Sequence, residues 1–490
     1  MLRWLIVLLG LLPAGSGPHT ADPPNVLLVV ADDLNTRVGP YGADVYTPNL
    51  DRLAAAGTTL LRAYAQYPVC GPSRASILSG MYPESNGVMT NGFARANHRL
   101  ATPGLADHPS LPGLFREAGY YTARVSKVFH MGVPGGIERG EPGPDDPDAW
   151  DFAVNLTAPE TMSPGRLETL SRGLQYGANF SRIILPEGSE GTQTDVLATD
   201  QAIAILQTRT GAIPPGVAHR VRIKPDAPFF LAVGFVRPHV PLIAPERHFE
   251  RYPDSSVSLV DVPAGDLDDV PAAAQQFAND NRFRMTEDEQ RKSVAAYHAS
   301  VSFMDEQLGR LLDALEASGE ADNTVVVFVS DHGFNLGEHT SWQKLSLWED
   351  AVRVPLLIAG PDVPGGERRE GIVELVDLYP TLARMAGLLV PPAVQGRDLA
   401  LLLAGEPWEA DAYTVTSGGA SLRTERYRYS RWGEESEEEL YDHLADPGEF
   451  TNLASDPASG DLLEDMRARF DARQAAAREA GRTYGLDYPR

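Results

Sequence analysis

Three stretches of the chain are apolar without alternation and end in charge, and a fourth, which mixes apolar and polar residues, reads as a further strand with the same kind of end. The three are 25–35 (NVLLVVADDLN), 228–239 (PFFLAVGFVRPH) and 324–333 (TVVVFVSDHG), and the fourth is 119–130 (GYYTARVSKVFH). A strand buried on both faces reads this way, whereas a strand with one wet face alternates. Between them the period changes. In 293–319, Val294, Tyr297, Val301, Met304, Leu308, Leu311 and Leu315 recur every three or four residues, which predicts an amphipathic helix stopped at Gly319. Residues 194–208 and 374–387 carry weaker helical patterns. Strands alternating with helices predict an α/β domain with a large, mostly parallel sheet flanked by helices.

In such a sheet, ligands bind beyond the carboxyl ends of the strands. The four runs deliver Asp32 and Asp33, Lys127 and His130, His239, and Asp331 and His332 to that edge. One strand ending in acid is an ordinary solvated turn; several ending in convergent charge predict a site. Residues 133–192 are rich in Gly, Pro and Asp, show little periodicity, and predict long surface loops that shape a pocket. After about residue 404 the pattern changes again. ASLRTERYRYSRW looks strand-like, the acidic run Glu434 to Glu439 predicts a solvated turn, and a polar helix ends the chain. This divides the protein into a domain over 22–404 and a smaller C-terminal α+β subdomain over 405–490.

Composition narrows the function. The 42 basic against 67 acidic side chains give a net charge of −25, which argues against a nucleic-acid binder. An anionic substrate must then be held by a few local cations working against the overall field. The start, MLRWLIVLLGLLPAGSG, has a basic residue, an apolar run from Trp4 to Leu12 and then small residues. That is the pattern of a secretory signal peptide over 1–21, too short to span a bilayer. It predicts a secreted or periplasmic protein that is free of the membrane once the leader is removed.

The 490 residues include one cysteine, Cys70, so no disulfide forms within the chain. Pro72 follows it by two residues and SRASILSGM then looks helical, which puts Cys70 at a helix N-terminus. The free N–H groups and the positive dipole end favour an anion there, and Arg74 adds a cation one turn in.

CGPSRASILSG resembles the C-x-P-S-R signature of type I sulfatases, with Ser79 in place of a more usual threonine. GYYTARVSKVFH approximates the second signature of that family, with Ser126 where glycine is usual. VSKVFH, FFLAVGFVRPHVP, SDHGFNLGEH, ELVDLYPTLA and ELYD extend the resemblance to the iduronate-2-sulfatase-like members, from about Asn25 to the C-terminal subdomain. The resemblance implies an alkaline-phosphatase-like, sulfatase fold. It also implies that a formylglycine-generating maturation enzyme oxidises Cys70. A hydrated aldehyde carries two hydroxyls on one carbon: one attacks sulfur and displaces the alcohol, and the other, deprotonated, expels sulfate by C–O cleavage.

Further roles follow from the same resemblance. Asp32, Asp33 and Asp331 are hard oxygen ligands of the type Ca²⁺ prefers, joined by formylglycine at position 70 and by His332. Arg74 steadies the ionised diol, Lys127 and Lys344 bind sulfate oxygens, His130 assists sulfate elimination, and His239 contacts sulfate or protonates the departing sugar oxygen. His339 reads equally as a supporting or a substrate-binding residue, Glu338 as a cap or turn of its loop, and His98, His108, His248 and His443 as structural or solvated. The function implied is hydrolysis of sulfate monoesters on a carbohydrate. The alternatives are a phosphonate monoester or phosphodiester hydrolase of the same superfamily, and a non-catalytic protein that binds sulfated glycans.

Overall fold

The computed structural model describes residues 22–91, 97–100, 103–172, 178–209, 226–433 and 437–483, so the leader expected over 1–21 lies outside the described residues. The four runs form the strands Asn25–Asp32, Tyr121–Ser126, Phe229–Pro238 and Thr324–Ser330. Asn25–Asp32 pairs in parallel with Thr324–Ser330 on one side and Phe229–Pro238 on the other, and Tyr121–Ser126 pairs in parallel with Phe229–Pro238. Four carboxyl ends therefore emerge on one edge. Among the described residues this sheet has nine strands. Phe152–Val154 extends it in parallel, while Leu356–Ala359 runs antiparallel between Thr324–Ser330 and Gly57–Tyr64.

Every residue of Asn25–Asp32 is buried. Leu27, Val29 and Ala31 enter one apolar core with the helices Thr194–Arg209 and Glu287–Ala317. Val26, Leu28 and Val30 enter a second core on the other face, with the helices Cys70–Ser79 and Leu378–Met385. Two buried faces explain the unbroken hydrophobic run, each such side chain contributing roughly 1.5–3 kcal/mol. Among the described residues, no helix is long and apolar enough to cross a membrane.

The long helix starts at Glu287, six residues before the periodic pattern begins. Its first turn is charged and has no apolar face, so periodicity does not reveal it. A capping box does: the Thr286 side chain accepts from the Glu289 N–H and the Glu289 carboxylate accepts in return.

Two expectations are corrected. Residues 133–192 are more than surface loops, since Ser181–Leu185 is a fully buried strand between Arg166–Thr169 and Leu242–Pro245. Strands this short show no measurable period. The acidic run is likewise not simply a solvated turn. Glu437–Asp442 is the last strand of a four-stranded antiparallel sheet with Ala412–Thr416, Gly419–Arg423 and Tyr427–Trp432. Glu439 is 1% exposed and accepts hydrogen bonds from Trp348 Nε1 at 3.3 Å, from Tyr441 Oη at 2.7 Å and from Trp432 Nε1. One indole partner, Trp348, is 91 residues away and the other, Trp432, sits on the neighbouring strand, so charge alone misleads. Residues 434–436 lie outside the described residues.

Candidate active site

Asp32 ends its strand, and Asp33 turns the chain with φ 64°, a region that short polar side chains tolerate better than most. Two buried hydroxyls fix the turn. Tyr297 Oη donates to the Asp33 carbonyl at 2.8 Å and accepts from Asn35 N at 2.9 Å. Ser330 Oγ accepts from Leu34 N at 3.0 Å and donates to the His332 carbonyl at 2.9 Å, tying the first strand end to that of Thr324–Ser330. Asp33 N also donates to Asp331 Oδ1 at 3.2 Å.

Lys127 leaves the sheet through Ser126, whose φ is 62°. That backbone suits glycine, and here a serine adopts it. Beside it, a Cβ on Gly234 would meet the Lys127 carbonyl oxygen at 2.0 Å, so this position has no room for a side chain. Cys70 is the first residue of the helix Cys70–Ser79, and Gly80, at φ 66°, ends the helix.

These elements converge. Lys344 Nζ donates to Asp33 Oδ1 at 2.6 Å and lies 3.2 Å from Cys70 Sγ. His332 Nε2 lies 3.3 Å from Cys70 Sγ, 3.3 Å from Asp33 Oδ1 and 3.7 Å from Asp331 Oδ1. Lys127 Nζ donates to Asp32 Oδ2. Arg74 donates to Asp331 Oδ2 at 2.8 Å, to the Val128 carbonyl at 3.1 Å and to Asp32 Oδ1 at 3.4 Å, so its guanidinium is engaged with the carboxylates. His239 Nε2 is 3.8 Å from Asp33 Oδ2. His130 feels Lys127, Asp32, Arg74 and Lys344, and its buried Nδ1 has no hydrogen-bond partner.

The imidazole tautomers follow from their neighbours. His332 Nδ1 lies 2.9 Å from the Gly333 carbonyl and His239 Nδ1 lies 2.7 Å from the Val240 carbonyl. A carbonyl only accepts, so in each neutral ring Nδ1 carries the proton and Nε2 presents a lone pair to the cluster.

Charge balance is local. Burial raises the Asp32 carboxyl, but Lys127, His239, Arg74 and Lys344 together outweigh it and hold the group well below the usual range. Asp33 is lowered in the same way, burial being outweighed chiefly by His239 and Lys344. Burial and then Asp32 push the Cys70 thiol up to about 12. Burial, helped by Lys127, takes His130 down to about 2, and burial also lowers His239 despite Asp33 and Asp32.

The donor set fits a divalent cation. Ligand atoms of Asp32, Cys70, Asp331 and His332 lie within 4.8 Å of one another, as do those of Asp32, Asp33, Cys70 and His239. Asp33 Oδ2 is buried and has no hydrogen-bond partner, a costly condition that a bound cation would relieve.

Other residues lie elsewhere. His339 pairs with Asp266 Oδ2 at 3.1 Å and stacks on Trp348, while Glu338 pairs with Arg37 and accepts from Leu336 N at 2.6 Å. His108, His248 and His443 bond to the Ser79 carbonyl, Glu306 and Glu449, and His98 packs on Phe129. Glu349, His443 and Glu449 form a second cluster, already paired with buried Arg428 and with Arg423. Sequence reasoning missed Tyr297 and Ser330 as supports of the site. Tyr297 reads as one more apolar helix position and Ser330 as the end of a strand, so nothing local marks them.

Comparisons with known proteins agree with this geometry. The family model described as Sulfatase matches residues 24–388, and one described as N-sulphoglucosamine sulphohydrolase, C-terminal, matches residues 337–476. A sulfatase of Formosa agariphila is 33% identical over 91% of this chain and 86% of its own. The iduronate 2-sulfatase of Mus musculus is 30% identical over 93% of this chain and 95% of its own. In three dimensions, the phosphonate monoester hydrolase of Silicibacter pomeroyi superposes with a TM-score of 0.73 at 23% identity, covering 92% of this chain and 95% of that one. This last likeness is one of fold, the alkaline-phosphatase-like α/β architecture expected from the sequence. The family match takes in Asp32, Asp33, Cys70, Asp331 and His332, and on that basis the chain belongs to the sulfatase family of sulfuric ester hydrolases.

Proposed function

We propose that the protein is an exported, calcium-dependent sulfatase that hydrolyses sulfate monoesters of a sulfated carbohydrate, in the manner of the iduronate 2-sulfatases, after a maturation enzyme has converted Cys70 to formylglycine. The supporting observation is the convergence of three carboxylates, His332 and two lysines around the lone cysteine. The relatives' names support a sulfated sugar, and the leader-like residues 1–21 support a secreted or periplasmic location.

Asp32, Asp33, Asp331, His332 and the group at position 70 would hold the cation. Bound there, a divalent cation would polarise sulfate oxygens, and an aldehyde hydrate at position 70 would supply the attacking hydroxyl. The chain's own residues do the rest. Lys127 and Lys344 grip non-bridging sulfate oxygens and offset charge that builds up as the ester bond breaks. Arg74 keeps the Asp331 and Asp32 carboxylates oriented. His239, with Nδ1 tied to a carbonyl, uses Nε2 to hand a proton to the departing sugar oxygen, and the incoming sulfate supplies the negative charge that favours its protonated form. His130 Nδ1 takes the proton from position 70 as sulfate leaves.

Rates on 2-O-sulfated uronate disaccharides, an aryl sulfate and an aryl phosphate diester test this reading. Turnover greatest on the sulfated sugar supports it; preference for the phosphate diester would assign the chain to phosphonate or phosphodiester chemistry instead. Binding of the sulfated sugar without any turnover, by enzyme from its own cell, would leave only the glycan-binding alternative.

A further inference from the structure

Lys344 lies between two residues in the left-handed backbone region, Gln343 at φ 72° and Leu345 at φ 91°. Neither is glycine, so each keeps that conformation only because its surroundings fix it. On one side the fixing is local, where Gln343 pairs with Asn335 and Trp342 with Leu336 in a short antiparallel ladder. On the other side it comes from the C-terminal sheet. The Thr416 hydroxyl donates to the Leu345 carbonyl at 2.9 Å. Thr416 is 4% exposed, so bulk water does not compete for this bond. The strand that Thr416 ends is also joined to the chain leading into Cys70. Thr414 Oγ1 donates to the Ala65 carbonyl at 2.7 Å, and Val415 N donates to the Gln66 carbonyl at 2.9 Å. The end of one strand thus links the turn that carries Lys344, through Thr416, to the segment that leads into position 70, through Thr414 and Val415.

We propose that Thr416 is a positioning residue that sets the Lys344 ammonium against position 70, making the C-terminal sheet part of the apparatus that grips sulfate. This rests on the reading of Lys344 as a sulfate-holding cation. Without the hydroxyl, the Leu345 carbonyl loses its partner and the turn relaxes toward ordinary φ values, carrying the ammonium away from the sulfate position. A displacement of about 1 Å is enough to cost a large factor in rate.

Thr416→Val keeps the shape and removes the hydroxyl, and Thr416→Ser keeps the hydroxyl. Each is compared with the parent as mature, calcium-loaded enzyme by kcat/KM on an aryl sulfate, by the Kd of inorganic sulfate and by Tm. The valine variant is expected to lose about tenfold in kcat/KM and to bind sulfate several-fold more weakly, with serine within about twofold of the parent. In a Lys344→Ala background, Thr416→Val is expected to add no further loss. Parental sulfate binding in Thr416→Val, or a loss that adds in full to that of Lys344→Ala and tracks Tm, would overturn the proposal and leave Thr416 a stability residue. If Lys344→Ala alone leaves rate and sulfate affinity unchanged, the reading of Lys344 fails, and the positioning role fails with it. Should the valine variant not fold, Thr416→Ala carries the same comparison.

Discussion

His332 Nε2 lies 3.3 Å from Cys70 Sγ although 262 residues separate them, and the Gly333 carbonyl fixes the tautomer that aims its lone pair there. Imidazole is a rare partner for calcium, so its contribution is measurable against that of the carboxylates. His332→Ala is expected to weaken calcium binding at least about tenfold. Calorimetric titration of chelator-treated protein checks this. Tm of the parent should fall on chelation and recover with calcium, because a ligand bound only by the folded state stabilises it. Unchanged calcium affinity in the variant would remove His332 from the ligand set.

Ser126 and Gly234 face each other across the strand pair that delivers Lys127. Ser126→Gly should raise stability by roughly 0.5–1 kcal/mol and keep activity, because it relieves a positive φ and removes a buried hydroxyl that has no partner. Gly234→Ala should do the reverse, since its methyl would displace the Lys127 backbone. Thermal melts and kcat/KM of the two variants test the pair.

Much of this was legible in the sequence, and the exceptions are instructive. Asn25–Asp32 and Thr324–Ser330 announce themselves because burial on both faces writes a continuous apolar run, and their terminal aspartates fall at the site edge. Lys344 follows a strand of only two residues, too short to leave a pattern, and motif resemblance alone marks it. Ser181–Leu185 was hidden by its brevity, and Glu439 by its charge. Tyr297, Ser330 and Thr416 act through single hydroxyls on neighbours far away in the chain, which no periodicity encodes.

Arg428 spans two carboxylates, donating to buried Glu449 Oε1 and half-buried Glu349 Oε2, and so joins the C-terminal sheet to the segment following Lys344. Removing the cation leaves buried Glu449 paired with only His443, at 2.8 Å, and Glu349 paired with Arg423 at 3.5 Å. Arg428→Ala is expected to cost about 3–5 kcal/mol by denaturant unfolding, far more than an exposed pair such as Arg139–Glu141. A loss below about 1 kcal/mol would show that the network is solvated.

His298 has an unpartnered buried Nε2 and packs edge-on against Tyr252, and burial, then Arg37, lowers it from the usual imidazole range to about 3. Its folded pKa lies below its unfolded one, so between pH 6.5 and 3 the unfolded chain takes up the proton first. Above that window the residue contributes no pH dependence. Within it stability falls as pH falls, by up to about 1.4 kcal/mol per unit. His298→Phe keeps the ring packing and should reduce this slope; an unaltered slope would assign the acid sensitivity to other groups.

The most direct test is the mass of the peptide bearing position 70, taken from enzyme purified from its own cell and assayed on a sulfated sugar. The proposed mechanism predicts an aldehyde or its hydrate in place of the thiol, in proportion to the active fraction, with Cys70→Ala inert. Brisk desulfation by protein that carries an unmodified Cys70 would contradict it.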